Sequence, residues 1–133
     1  MLITSAAICL ALNIYHESRG EPIAGQIAVA QVTLTRAKDK EEICRTVGDR
    51  KQFSWTNNGN AYVGRYGLVI AERMRPKNQM AWNLSLVIAD AVLKGKLVDY
   101  SRGATHYHAT RVSPYWTTQM RVKTRIGSHI FYS

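Results

Sequence analysis

The chain has only two cysteines, Cys9 and Cys44, in 133 residues. Two cysteines make neither a disulfide framework nor a zinc knuckle. They fall on different predicted helices, Cys9 in an apolar segment and Cys44 in Glu-Glu-Ile-Cys-Arg. The expected state is therefore a pair of buried free thiols in a reducing compartment. No apolar run is long enough to cross a bilayer. Ile3 to Leu12 is apolar like the core of a secretion signal, but no Lys or Arg precedes it. It also runs unbroken into the motif described below, so it reads as the first helix of a protein made in the cytosol without a signal peptide. No repeat, low-complexity tract or linker divides the chain, which makes residues 1–133 a single domain, long enough to bury a core. Acids are scarce: nine Asp and Glu stand against eighteen Lys and Arg, a net charge of +9. That excess implies an anionic partner, whether nucleic acid, a phospholipid surface or an acidic wall polymer. The basic residues are scattered and form no recognition helix, so nucleic acid is not the expected partner.

Apolar periodicity organises what is present. Ile3, Ala7, Leu10 and Ile14 recur at helical spacing, which predicts a helix over 3–18 with Thr4 or Ser5 as its cap. Gly20 stops it, and Pro22 suits the first turn of a second helix over about 22–37. On that helix Ile23, Ile27, Ala30 and Leu34 share a face, and Ala24, Gly25 and Ala28 permit close approach of a neighbour. A short helix over 41–47 follows. Residues 49–67 read as a long irregular stretch with turn chemistry at Asn57-Asn58-Gly59. A short helix over 68–74 and a clear one over 82–93, capped by Asn83, come next. The texture then changes: residues 104–108 alternate, and 122–126 and 129–132 read as short strands joined at Gly127-Ser128. The fold class is α+β, mainly α-helical, with helices first and small β elements last.

The chemistry centres on Glu17. A carboxyl group at the rim of an apolar helix stripe is partly desolvated, which raises its pKa toward the range a general acid needs. Against this stands an ordinary exposed Glu, paired with Arg19. Glu21 lies four residues on, but the Gly20–Pro22 break separates the two acids. Glu21 is better read as a helix cap or as a hydrogen-bond partner that supports the motif. His16-Glu17 lacks the second His of the zincin pattern, because position 20 is Gly. A scattered zinc site drawn from His16, His106, His108 and His129 is the alternative, although the expectation is no metal and no cofactor. Trp55, Tyr62, Tyr107, Tyr115 and Trp116 lie in the loops and β elements, where flat faces beside polar groups suit sugar rings or nucleobases.

Taken together, these residues resemble the spore cortex-lytic (SleB-type) cell-wall hydrolases. The resemblance is carried by Asn13 to Gln31, with Glu-Ser-Arg-Gly-Glu-Pro running into Gly-Gln-Ile-Ala-Val-Ala. It continues through Gln52-Phe53-Ser54-Trp55, Ala89 to Gly95, Gly103 to His108, Trp116 and Ile126 to Phe131. It implies a lysozyme-like fold in which a small β region forms one wall of a cleft. It implies cleavage of the MurNAc–GlcNAc glycan strand of peptidoglycan by a lytic transglycosylase, with Glu17 as the single acid and then base. Gln52, Ser54, Trp55, His106, Tyr107 and Trp116 become the expected substrate walls, with Glu21 and Arg19 in support. Relatives often carry Tyr-Tyr-Asn where this chain has Tyr107-His108-Ala109. The pattern is similar to that of a monomeric phage endolysin whose positive charge favours anionic wall or outer-membrane surfaces. A hydrolytic muramidase, a zinc-dependent wall amidase and a non-enzymatic nucleic-acid-binding module are the alternatives.

Overall fold

A computed structural model describes residues 1–133. Helix α1 (Ala6–Ser18) starts at Ser5, whose side chain accepts from the Ile8 N–H. Every residue from Cys9 to Tyr15 is buried, so α1 is enclosed on all sides rather than along one stripe. It packs against α2 (Ile23–Ala37), the short α3 (Ile43–Gly48) and α4 (Gln79–Leu93). Its one fully buried polar side chain, Asn13, is satisfied in place. Asn13 Oδ1 accepts from the Trp55 indole N–H at 2.8 Å, and its amide nitrogen donates to Thr33 Oγ1 at 3.0 Å. No helix is long and apolar enough to cross a membrane.

α2 is buried on two faces. Ile27, Ala30 and Ala37 join the main core of α1, α3 and α4. Ala28, Val29 and Val32 form a second small core with Ala104 and Phe131. The small side chains expected to allow close approach do so: a Cβ on Gly25 would lie 3.3 Å from Ile126. Ile23, in contrast, is exposed.

Two three-stranded antiparallel sheets flank the helices. The first, in order β1-β3-β2, joins β1 (Leu2–Ile3), β2 (Ala61–Gly64) and β3 (Gly67–Ile70). Three sequence expectations are corrected here. The expected start at Ile3 is strand, the end of β1, and the helix begins only at Ala6. The stretch 49–67 is not irregular throughout, because it holds β2. Residues 68–74 are not a helix but the body of β3 followed by a 3-10 turn at Glu72–Met74. The pairing is non-local, with Leu2 opposite Val69 and Tyr62 opposite Val69 from the other side. Gly67 is required because a Cβ there would strike the Ile3 carbonyl. α4 also starts earlier than expected, capped by Asn78, whose side chain accepts from the Ala81 N–H.

The second sheet, in order β4-β6-β5, consists of β4 (His106–Ala109), β5 (Val122–Ile126) and β6 (His129–Tyr132). Tyr107 stands opposite Phe131, and His106 opposite Tyr132. One sheet face, with Tyr107 and Phe131, packs on α2; the other carries His106, His108 and Tyr132.

The expected free thiols are also corrected. Cys9 and Cys44 form a disulfide that joins α1 to α3 across 35 residues. The spacing of two cysteines on separate helices carries no sign that α3 folds back beside the first half of α1. Replacing Cys44 by Ser, or reducing the bond, is expected to cost about 2–4 kcal/mol of stability. Urea unfolding with and without reductant measures the loss, and the wild type should be reductant-sensitive while Cys44→Ser is not.

Candidate active site

Glu17 lies in the last turn of α1, where the buried helix reaches the surface. It is partly exposed. Gly20, at φ +86°, turns the chain out of α1, and the Glu21 N–H donates to the Ser18 carbonyl. Arg19 does not pair with Glu17. Its guanidinium lies 4.5 Å from the centre of the Tyr15 ring and donates to the Tyr15 carbonyl at the C-terminus of α1.

Glu21 supports the motif by a contact that local sequence could not specify. Its Oε1 accepts from the Ser128 N–H at 2.7 Å, which clasps the β5–β6 turn to the α1–α2 junction. Gly127 lies against it so closely that a Cβ would collide with the Glu21 carboxylate and Pro22. Glu21 is therefore not a side-chain cap of α2.

The clasp and the α2 core bring β4 to Glu17. The Tyr107 hydroxyl donates to Glu17 Oε1 at 2.5 Å. Burial pushes the Glu17 carboxyl above its ordinary value; the Tyr107 hydrogen bond and the Arg36 charge pull it back. Burial, reinforced by the Glu17 charge, raises the Tyr107 phenol well above its ordinary value, so it remains a donor. Arg36 is one of the scattered basic residues of the sequence. On α2, its Nε donates to the Thr105 carbonyl at 2.7 Å, which holds the segment leading into β4. The one available signal is its place four residues after Val32, on the same side of α2 as Val29 and Val32.

Beside Tyr107 lies an open depression of about 520 Å³ lined by Arg36, Lys51, Gln52, His106, Tyr107 and Trp116. Four of the six expected wall residues thus line one surface. Ser54 is exposed but is not among its lining residues. Trp55 is buried: its N–H is committed to Asn13, and one ring face stacks on His16 at 4.4 Å. It is a core residue under the site and offers no open sugar platform. His106 shares a hydrogen bond with Thr105 and is held below its ordinary pKa by burial and then by Arg36. On the same sheet face His108 Nδ1 donates to the Ala109 carbonyl, which leaves Nε2 to accept from the Tyr132 hydroxyl at 2.8 Å. Trp116 packs over His106, His108 and Tyr132. His16 donates to the Met74 carbonyl. No three of His, Cys, Asp and Glu converge as metal ligands.

Two solved structures share this architecture. The catalytic domain of the Bacillus cereus SleB protein is 25% identical, with a TM-score of 0.62 over 96% of this chain and 90% of that one. The catalytic domain of the germination-specific lytic transglycosylase SleB from Bacillus anthracis is 23% identical, with a TM-score of 0.64 over 96% of this chain and 93% of that one. No curated protein sequence matches. The fold is the α+β, lysozyme-like one, and it carries a wall-degrading enzyme. The chain belongs to the cell wall hydrolase family, whose model matches residues 20–132, a span that begins just after Glu17.

The raised pKa has a thermodynamic consequence. Folded Glu17 keeps a proton that the unfolded chain releases near pH 4.5, so stability falls as pH rises from there through the folded value. Glu17→Gln removes that slope. In urea unfolding across pH 4–8, the variant should gain on the wild type as pH rises and be the more stable of the two at pH 7.

Proposed function

We propose that the protein is a peptidoglycan lytic transglycosylase that cleaves the MurNAc–GlcNAc strand with Glu17 as its single acid and base. The carrying observation is Glu17 itself: a carboxyl group whose pKa is raised by burial, hydrogen-bonded to the phenol of Tyr107, which lines an open depression. Neutral Glu17 gives its proton to the glycosidic oxygen, and the bond to the muramic C1 breaks. The carboxylate then takes the proton of the muramic 6-hydroxyl, whose oxygen closes on C1 to give a 1,6-anhydro end. Glu21 is engaged by Ser128, which supports a route without a second carboxylate. Gln52, His106, Tyr107 and Trp116 form the substrate wall. Work as an endolysin on the oxidising side of the cytoplasmic membrane is supported by the Cys9–Cys44 bond.

Glu17→Gln should lower turnover by about 10²–10⁴-fold while the protein stays folded. Mass spectrometry of digested peptidoglycan should show anhydro-muramyl ends from the wild type. Reducing ends in their place would assign water as the acceptor. Tyr107→Phe removes the donor that lowers the Glu17 pKa. The alkaline limb of its kcat/KM profile should therefore move to higher pH, and an unmoved limb would disconnect Tyr107 from the acid.

A further inference from the structure

The depression lined by Tyr107, the hydrogen-bond partner of Glu17, holds more positive charge than a neutral sugar ring calls for. Arg36 and Lys51 both line it, and no acidic side chain does. Neither cation takes part in an ion pair. Arg36 is half-buried; Nε serves the Thr105 carbonyl and Nη1 makes a long 3.5 Å contact with the Gln52 carbonyl, while Nη2 has no protein partner. Glu17 is near enough to favour the Arg36 charge and the Phe53 ring centre lies 5.4 Å from the guanidinium, but no carboxylate pairs with Arg36 directly, which leaves Nη2 able to receive one. Lys51 is exposed and sits at φ +64°, a left-handed conformation that disfavours a side chain such as lysine. The turn it occupies is anchored by the Gln52 N–H on the Asp49 carbonyl. A planar guanidinium held by the Thr105 carbonyl, with an exposed ammonium lining the same depression, matches a carboxylate.

We propose that Arg36 and Lys51 form a carboxylate subsite, so that the enzyme selects glycan strands carrying an anionic group next to the scissile bond. This rests on the glycosidase reading above and names its substrate class. The carboxylate has two sources. It is the free lactyl acid of a muramic residue whose peptide an amidase has already removed, or it belongs to the stem peptide still attached.

The test uses peptide-bearing and peptide-stripped strands, each as free acid and as methyl ester, with wild type, Lys51→Asn and Lys51→Arg. Asn tolerates the left-handed backbone, so folding is preserved. At low salt the wild type should cleave the free acid about tenfold better than the ester, through KM, and the strand type showing this effect identifies the source. In Lys51→Asn the acid-to-ester ratio should fall toward one, and in Lys51→Arg it should return. Equal cleavage of acid and ester in both strand types overturns the subsite, as does a preference that survives in Lys51→Asn. A wild type that cleaves none of the strands overturns the glycosidase reading and the subsite with it.

Discussion

The structure depends on α2 being buried on two faces at once. A helix with one apolar stripe would close the main core and leave the second sheet unsupported. Here Ile27 and Ala30 face α1 and α4, while Ala28, Val29 and Val32 face Phe131. Such double burial demands small side chains, because bulky ones would force the layers apart. Gly25 and the alanines meet that demand and bring β6 onto the helix. Register then does the rest. Tyr107 pairs with Phe131, so docking Phe131 on α2 turns Tyr107 inward to Glu17. A one-residue slip of β4 would send the phenol to the opposite face and put His106 or His108 in its place. The Glu21–Ser128 clasp fixes the turn at the other end of β6.

The electrostatics of Glu17 are a balance of opposing terms. Burial alone disfavours the carboxylate; the Tyr107 donor and the Arg36 charge favour it. Each pKa unit of net shift is about 1.36 kcal/mol between the two protonation states. An acid that must first donate and then accept a proton is served by neither extreme. Tyr107 suits this because its own ionisation is suppressed, so it donates to either form of Glu17.

Local signals explain what could be read from the chain alone. The Ser5 start, the Gly20 break and the close-packing face of α2 each depend on residues within a turn or two. The β4, β5 and β6 segments alternate as strands do, and Tyr107 and Trp116 line the same depression. What stayed hidden depends on distant partners. β1 and β3 are strands because Leu2 meets Val69. Cys9 meets Cys44 only once α3 returns to α1. The flat face of an indole beside polar residues suits sugars, which makes Trp55 an expected cleft residue. The buried Asn13 that claims its N–H lies 42 residues away. Arg36 looked like one more surface charge because its carbonyl partner, Thr105, is 69 residues distant.

These long-range ties share an effect on α1. The disulfide holds its first half to α3, the Trp55–Asn13–Thr33 relay holds its middle to α2 and the layer beneath the site, and Tyr107 meets its end. A carboxyl group on a loop would reach the same place, but with freedom that must be lost in every turnover. Misplacement by about 1 Å can cost about 10²-fold in rate. A helix tied at start, middle and end removes that freedom during folding instead. Burying an amide at position 13 is tolerable for this reason: with both of its polar atoms paired it costs little, and it ties α1 to two neighbours at the level of the site. An apolar residue there would pack as well but would leave the Trp55 N–H unpaired beneath Glu17.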